Sequence, residues 1–200
     1  KSHPKLATQT GNQGCSTEGF RRSFEVIQSG VLGNITEVHV WHPGHAWPNG
    51  VDRPAASDPI PDGLDWDFWL GKAPARPYAK EVYHPGKWRG WYDFGGGSMA
   101  DFCCHGFQLA YRALELDAPT RIEATGDDLG HESFPTRCTV TFDFPAKGKR
   151  GPVKLFFYSG EKHLPPEQVT QGAVGSTGCL IIGSEGTLSA GLWNTDCNVR

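Results

Sequence analysis

Apolar positions along the chain change their period twice. Phe20, Phe24, Ile27 and Val31 recur at the three-to-four spacing of a helix, with Ser16 ahead of them as a capping residue and Gly30 and Gly33 behind them as stop signals. From Ile35 to His42 β-branched and aromatic residues alternate with polar ones, so this segment is expected to be a strand. A Pro/Gly-rich excursion then runs through Pro61, long enough to suggest a functional loop. Asp65–Leu70 predicts a short helix, and Tyr78, Tyr83, Trp88, Trp91 and Tyr92 follow in an irregular aromatic region. A second strong helix is expected from Met99 to Leu114. After it the strand pattern returns at Arg121–Thr125, Arg137–Phe144, Val153–Tyr158 and Leu180–Ile182, separated by Gly, Pro and charged turns. One more strand-like stretch, Leu6–Thr10, precedes the first helix and ends in the polar turn Gly11–Gly14. Helices first and hairpin-spaced strands afterwards predict an α+β fold, an open, largely antiparallel sheet with helices packed on one face.

Composition narrows the partners. The 26 Gly and 15 Pro in 200 residues call for shaped loops, and a net charge of −3 gives no footprint for nucleic acid. The dense basic cluster Lys147, Lys149, Arg150 reads as a solvated turn. No apolar run approaches the roughly 18 residues of a membrane span. The six cysteines (15, 103, 104, 138, 179, 197) form no C-x-x-C pair, which favours reduced structural thiols and a cytoplasmic setting, with the periplasm left open. His39, His42 and His45 suggest a metal stripe, but neighbours of unlike parity on a strand face opposite ways, so no metal is expected.

The chemistry concentrates after the triple glycine Gly95–Gly97. Asp101 and His105 stand four apart on the predicted helix and therefore share a face, which Gln108 and Arg112 extend. A carboxylate one turn from an imidazole can fix its tautomer and stabilise its protonated form, as proton exchange during alcohol oxidation requires. The spacing alone fits a solvated helix face equally, and Ser98 with Asp101 fits a capping box. Just upstream, Lys87, Trp88, Arg89 and Trp91 offer cations and flat apolar faces suited to a polyhydroxylated ligand, or else a packed aromatic loop. Cys103 and Cys104 are expected to be inert packing.

Several segments resemble the glucose–fructose oxidoreductase and inositol dehydrogenase family, Gfo/Idh/MocA. Ala7–Gly14 looks like the end of that family's dinucleotide-binding domain, Glu18–Trp41 its crossing helix and first substrate-domain strand, and Leu64–Tyr78 with His84–His105 its most recognisable block. The resemblance covers nearly the whole chain. It implies that residues 1–14 are a remnant of a nucleotide-binding domain and 15–200 a substrate-binding and oligomerisation domain, shortened at its C-terminal end and lacking its Rossmann partner. It implies His105 as the proton-transferring residue with Asp101 beside it and Gln108 near substrate, where Lys87, Trp88, Arg89 and Trp91 are the expected binding residues; Asn12 and Gln13, ending the presumed last nucleotide-domain strand, either approach an NAD or NADP nicotinamide or form a simple turn. A sugar or cyclitol is the implied substrate, and a homo-oligomer formed through the sheet face the implied assembly. The family's Glu-Lys-Pro lysine would lie upstream. The glycines Gly172, Gly175 and Gly178 precede a strand and no helix, so they fail as a pyrophosphate fingerprint. Gln108 stands where many relatives carry an aspartate. Two other readings stay open: a non-catalytic binding or oligomerisation module, and a relative that uses NAD transiently to cleave glycosidic bonds.

Overall fold

A computed structural model describes residues 3–44, 47–55, 57–171 and 174–200. His45 and Gly172 lie outside the described residues. Helix α1 spans Glu18–Gln28, α2 Trp66–Leu70, α3 Gly97–Gly106, α4 Gln108–Ala113 and α5 Glu167–Thr170. The strands are β1 Ile35–His42, β2 Arg121–Gly126, β3 Cys138–Phe144, β4 Val153–Ser159, β5 Gly178–Gly183, β6 Thr187–Ala190 and β7 Asn198–Val199. They form one sheet in the order β2-β3-β4-β1-β5-β6-β7. Among the described residues only β1 and β4 run parallel, and the other neighbouring pairs are antiparallel.

Period-2 patterning explains how the core is built. In β1, Val38 and Val40 pair with Leu155 and Phe157 of β4 on one side and with Ile181 and Cys179 of β5 on the other, and all six are fully buried. α1, α3 and α4 cover this face, as expected of helices packed on one side. Gly106 lets α3 lie close to β1, because a Cβ there would come within 2.5 Å of Val40 Cγ1. A second aromatic core gathers Trp66, Tyr78, Tyr83 and Trp91 from the loop region, with the indole N–H groups of Trp66 and Trp91 donating to the carbonyls of Arg76 and Val82.

Local details depart from the sequence expectations. Thr17, not Ser16, caps α1: its hydroxyl accepts from the Phe20 amide at 3.2 Å. The helix ends three residues before Val31, which is exposed, and Leu32 fills the core instead. The single helix expected over Met99–Leu114 is two, joined at Phe107 beside the weak helix former Gly106. The N-cap of α3 is Gly96, with no side-chain hydrogen bond, so the Ser98–Asp101 capping box does not form. Leu6–Thr10 is exposed and pairs with no strand among the described residues. No helix among the described residues is long and apolar enough to cross a membrane.

The opposite sheet face carries Trp41, Tyr158 and Leu180, with half-buried Phe156 and Ile182 beside them and α5 contributing Val169. At its centre His39, 2% exposed, stacks on Phe156, binds the Glu37 carboxylate through Nε2 at 3.0 Å and meets the Tyr158 hydroxyl through Nδ1 at 3.1 Å. A neutral ring satisfies both contacts, donating to Glu37 and accepting from Tyr158. Burial holds its pKa below the ordinary 6.5 and outweighs Glu37, which acts the other way. Burial lowers His163 on the same face as well. The unfolded chain takes up these protons near pH 6.5 and the folded chain resists, so stability is full above that pH and is lost as the pH falls towards the depressed folded values. The urea midpoint should therefore fall between pH 7.5 and 5, and His39→Gln should flatten part of that slope. A midpoint that holds or rises on acidification would contradict the assignment.

Candidate functional site

The residues singled out by sequence converge where the C-terminal end of β1, the start of α3 and the loop after β6 meet the segment leading into α1. Gly97 opens α3 at φ +62°, a conformation suited to glycine, and a Cβ there would sit 2.6 Å from the Phe134 ring. Ahead of it, the 3-10 turn Lys87–Gly90 is fixed from both sides. Trp91 anchors it in the aromatic core, and the Gly90 carbonyl accepts from the Phe134 amide at 3.0 Å. That turn delivers Arg89 to α3.

Asp101 and His105 share a helical face but do not hydrogen-bond each other. Asp101 accepts from Arg89 Nε at 3.2 Å. The Arg89 guanidinium lies 4.6 Å from the Trp88 ring centroid and 5.9 Å from that of Trp47, and its Nη1 donates to the Gly86 carbonyl. Both partners of the Arg89–Asp101 pair are about one-third exposed, so the pair adds little to stability and mainly fixes where the carboxylate points. His105 Nδ1 stands 3.1 Å from the Gln13 carbonyl oxygen, which can only accept. A neutral ring satisfies this contact with its proton on Nδ1 and its lone pair on Nε2. The expectation that Asp101 orients His105 is corrected accordingly: the Gln13 backbone orients the ring.

Trp193, from the loop between β6 and β7, lies 4.4 Å from the His105 ring centroid. Asn194 donates from Nδ2 to the His105 carbonyl at 3.0 Å, and its own backbone carbonyl accepts from the α1 cap Thr17 at 2.9 Å. The wall continues through Phe102, which stacks on His42 at 3.5 Å and faces Trp47 and Trp193 at 6.0 and 6.3 Å. Sequence reasoning missed Trp193, Asn194, Phe102 and Trp47. Asn194 sits at φ +53° in a turn, and the short polar run Asn194-Thr195-Asp196 was the only signal for it.

The other expected site residues divide. Trp88 and Arg89 border the Asp101 side, and Lys87 is exposed next to them. Trp91 is 1% exposed and packs in the aromatic core, so its expected substrate contact is not available. Gln108 faces the N-terminal segment: its Oε1 accepts from Asn12 Nδ2 at 3.0 Å and from the Cys15 thiol at 2.6 Å. Asn12 also donates to the Cys104 carbonyl. Arg112 lies over the Phe20 ring and does not continue the Asp101 stripe. The Gln13 side chain is exposed and its backbone makes the site contact. Cys103 is buried, as expected, and burial pushes its thiol pKa up, whereas Cys104 is exposed and not packed. On the adjoining side of α3 a mostly apolar cavity of about 440 Å³ is lined by Met99, Ala100, Cys104, Phe107, Gln108 and Tyr111, among others.

The sheet order, the helices on one face and the family match together define an oxidoreductase-family C-terminal α/β domain. Residues 20–148 match the family described as "Oxidoreductase family, C-terminal alpha/beta domain", and the chain belongs to this Gfo/Idh/MocA family. Among solved structures it is similar to the WlbA dehydrogenase from Bordetella pertussis in complex with NADH and UDP-GlcNAcA, at 15% identity and a TM-score of 0.51 over 93% of this chain and 44% of that one. It is also similar to an aldose-aldose oxidoreductase from Caulobacter crescentus complexed with glycerol, at 11% and 0.52 over 94% and 42%. A super-repressor mutant of Gal80p from Saccharomyces cerevisiae gives 15% and 0.51 over 90% and 39%. At these identities the likeness concerns the fold, and the chain spans less than half the length of each. Comparison with curated proteins gives no match.

Asn194 joins the His105 helix to the α1 cap while 1% exposed. Asn194→Ala removes a buried hydrogen bond and puts alanine, which tolerates the left-handed region less well than asparagine, at positive φ. It should lower stability by about 1–3 kcal/mol in urea denaturation and shift the summed tryptophan emission to the red as Trp193 becomes more solvated. A variant as stable as the parent with unchanged emission would show that the loop does not depend on Asn194.

Proposed function

We propose that this chain is the substrate half of an NAD(P)-dependent oxidoreductase that moves hydride between nicotinamide and a hydroxyl of a sugar or cyclitol, with His105 as proton carrier. The observation behind this reading is the Gln13–His105 contact, which engages Nδ1 and leaves Nε2 without a partner among the described residues, beside the Trp193 ring. Residues 1–14 then belong to the edge of a preceding dinucleotide-binding domain and 15–200 to the substrate domain.

The described residues fit one side of such a site. Asn12 and Gln13 lie where the N-terminal segment meets α3, and there they would approach a nicotinamide. Of the Gly172-Gly175-Gly178 pattern, Gly178 opens β5, so the chain offers no helix after it to receive a pyrophosphate. Bound NAD(P) would take up or return the hydride. On the protein side, His105 Nε2 accepts the hydroxyl proton as the carbinol carbon becomes a carbonyl, and returns it in the reverse direction. Asp101, held by Arg89, offers carboxylate oxygens to neighbouring hydroxyls, and Trp88, Trp47 and Phe102 supply flat apolar surface for a sugar ring. The molecules bound in the two enzymes of similar fold, UDP-GlcNAcA and glycerol, share the hydroxyl-rich character this surface suits. Half-buried Phe156 and Ile182 on the outer sheet face support pairing with a second copy.

In the polypeptide carrying both domains, His105→Ala should lower turnover with its sugar or cyclitol by about 10²–10⁴-fold while NADH binding, followed by nicotinamide fluorescence, is retained. Turnover equal to the parent's would remove His105 from the chemistry. Absence of any NAD(P)-linked turnover in the parent, with NADH unbound, would favour the non-catalytic module.

A further inference from the structure

The Ile35 end of β1 opens into a cavity of about 1010 Å³, one strand length, roughly 23 Å, from the His42 end where His105 and Asp101 lie. Its floor is apolar, with Ile27 from α1, Ile35 from β1 and Leu114 after α4. Its rim carries three cations, Lys147, Lys149 and Arg150, from a single tight turn between β3 and β4, and one carboxylate, Glu115, which faces Lys147.

The three cations are not equivalent. Lys147 is already engaged within the fold. Its Nζ donates to the Glu115 carbonyl at 3.3 Å just past the end of α4 and pairs with Asp117 at 3.0 Å and Glu115 at 4.0 Å. A cation at a helix C-terminus is expected there. Lys149 and Arg150 have no carboxylate partner among the described residues. Arg150 is braced, with Nη1 donating to the Gly151 carbonyl at 2.7 Å and Nη2 to the Pro145 carbonyl at 2.9 Å, and its Nε is buried without an acceptor among the described residues. A buried donor with no acceptor is costly, and a guanidinium fixed by two carbonyls is already ordered for an incoming oxyanion. Asn34 adds an amide close by, its Oδ1 standing 3.1 Å from where a Cβ on Gly151 would lie.

We propose that this cavity binds the phosphate group of a small organic phosphate, with Lys149 and Arg150 meeting its two negative charges and the apolar floor taking the organic body. The charge of a phosphate monoester near neutral pH matches the two unpaired cations, and the volume suits a small-molecule ligand. The site is independent of the His105 chemistry.

The test is a titration of this 200-residue chain with phenyl phosphate, inorganic phosphate and sodium chloride at matched ionic strength, followed by amide chemical shifts. Saturable shifts at Gly33, Asn34 and residues 148–151, tighter with phenyl phosphate than with inorganic phosphate, are expected. Lys149→Ala, an exposed substitution that leaves the Arg150 anchors in place, should weaken phenyl phosphate binding about tenfold, the scale of one charge-assisted hydrogen bond. Shifts that follow ionic strength alone, or an affinity unchanged in Lys149→Ala, would overturn the site. Equal affinity for the two phosphates would overturn the organic ligand and leave bare phosphate as the occupant.

Discussion

The structure depends on the buried ladder at the centre of its sheet. Val38 and Val40 of β1 are clamped between Leu155 and Phe157 on one side and Ile181 and Cys179 on the other, with no exposure at any of the six. A strand flanked by two hydrogen-bonded neighbours and covered by helices has little freedom of register, because a slip by one residue would turn Glu37 and His39 towards the helices. β1 is thereby the fixed axis of the domain. Helix α3 lies against it through Gly106, so the position of His105 follows from the packing of a strand far from it in sequence.

Around that axis the candidate site is assembled from pieces that have no chemistry alone. α3 supplies Asp101 and His105, the aromatic core presents Arg89, the segment before α1 supplies a carbonyl, and the loop after β6 supplies Trp193 and Asn194. Each side chain is fixed by something other than its expected partner. Asp101 is held by a guanidinium set between indoles, and His105 by backbone on one edge and indole on one face. The two groups can therefore contact different parts of one substrate, which a direct Asp101–His105 hydrogen bond would restrict.

How much of this was legible in the sequence follows from what determines each feature. The α+β class, the strands β1 to β5 and the shared face of Asp101 and His105 are set by local periodicity, and local periodicity is visible. β6 and β7, at four and two residues, are too short to show a period. Trp91 read as an exposed ligand contact because aromatic density near glycine looks alike in a loop and in a small core. Only the Trp91–Val82 hydrogen bond and the packing around Tyr83 separate the two. The partners of His105 were not legible for a similar reason. One is a backbone carbonyl, which every residue has, and the other two lie nearly ninety residues downstream in a turn without a motif. The basic turn read as solvated is so at Lys149, yet Arg150 is half-buried and tied to two carbonyls.

The proposed proton transfer rests on which nitrogen of His105 is free, because a ring that carried its proton on Nε2 would have no lone pair to offer the site. Long-range ¹H–¹⁵N correlation of the selectively labelled imidazole at alkaline pH reads this directly. The Gln13 contact predicts the Nδ1–H tautomer, with Nε2 resonating as an unprotonated nitrogen. An Nε2–H tautomer, or rapid averaging between the two, would contradict it.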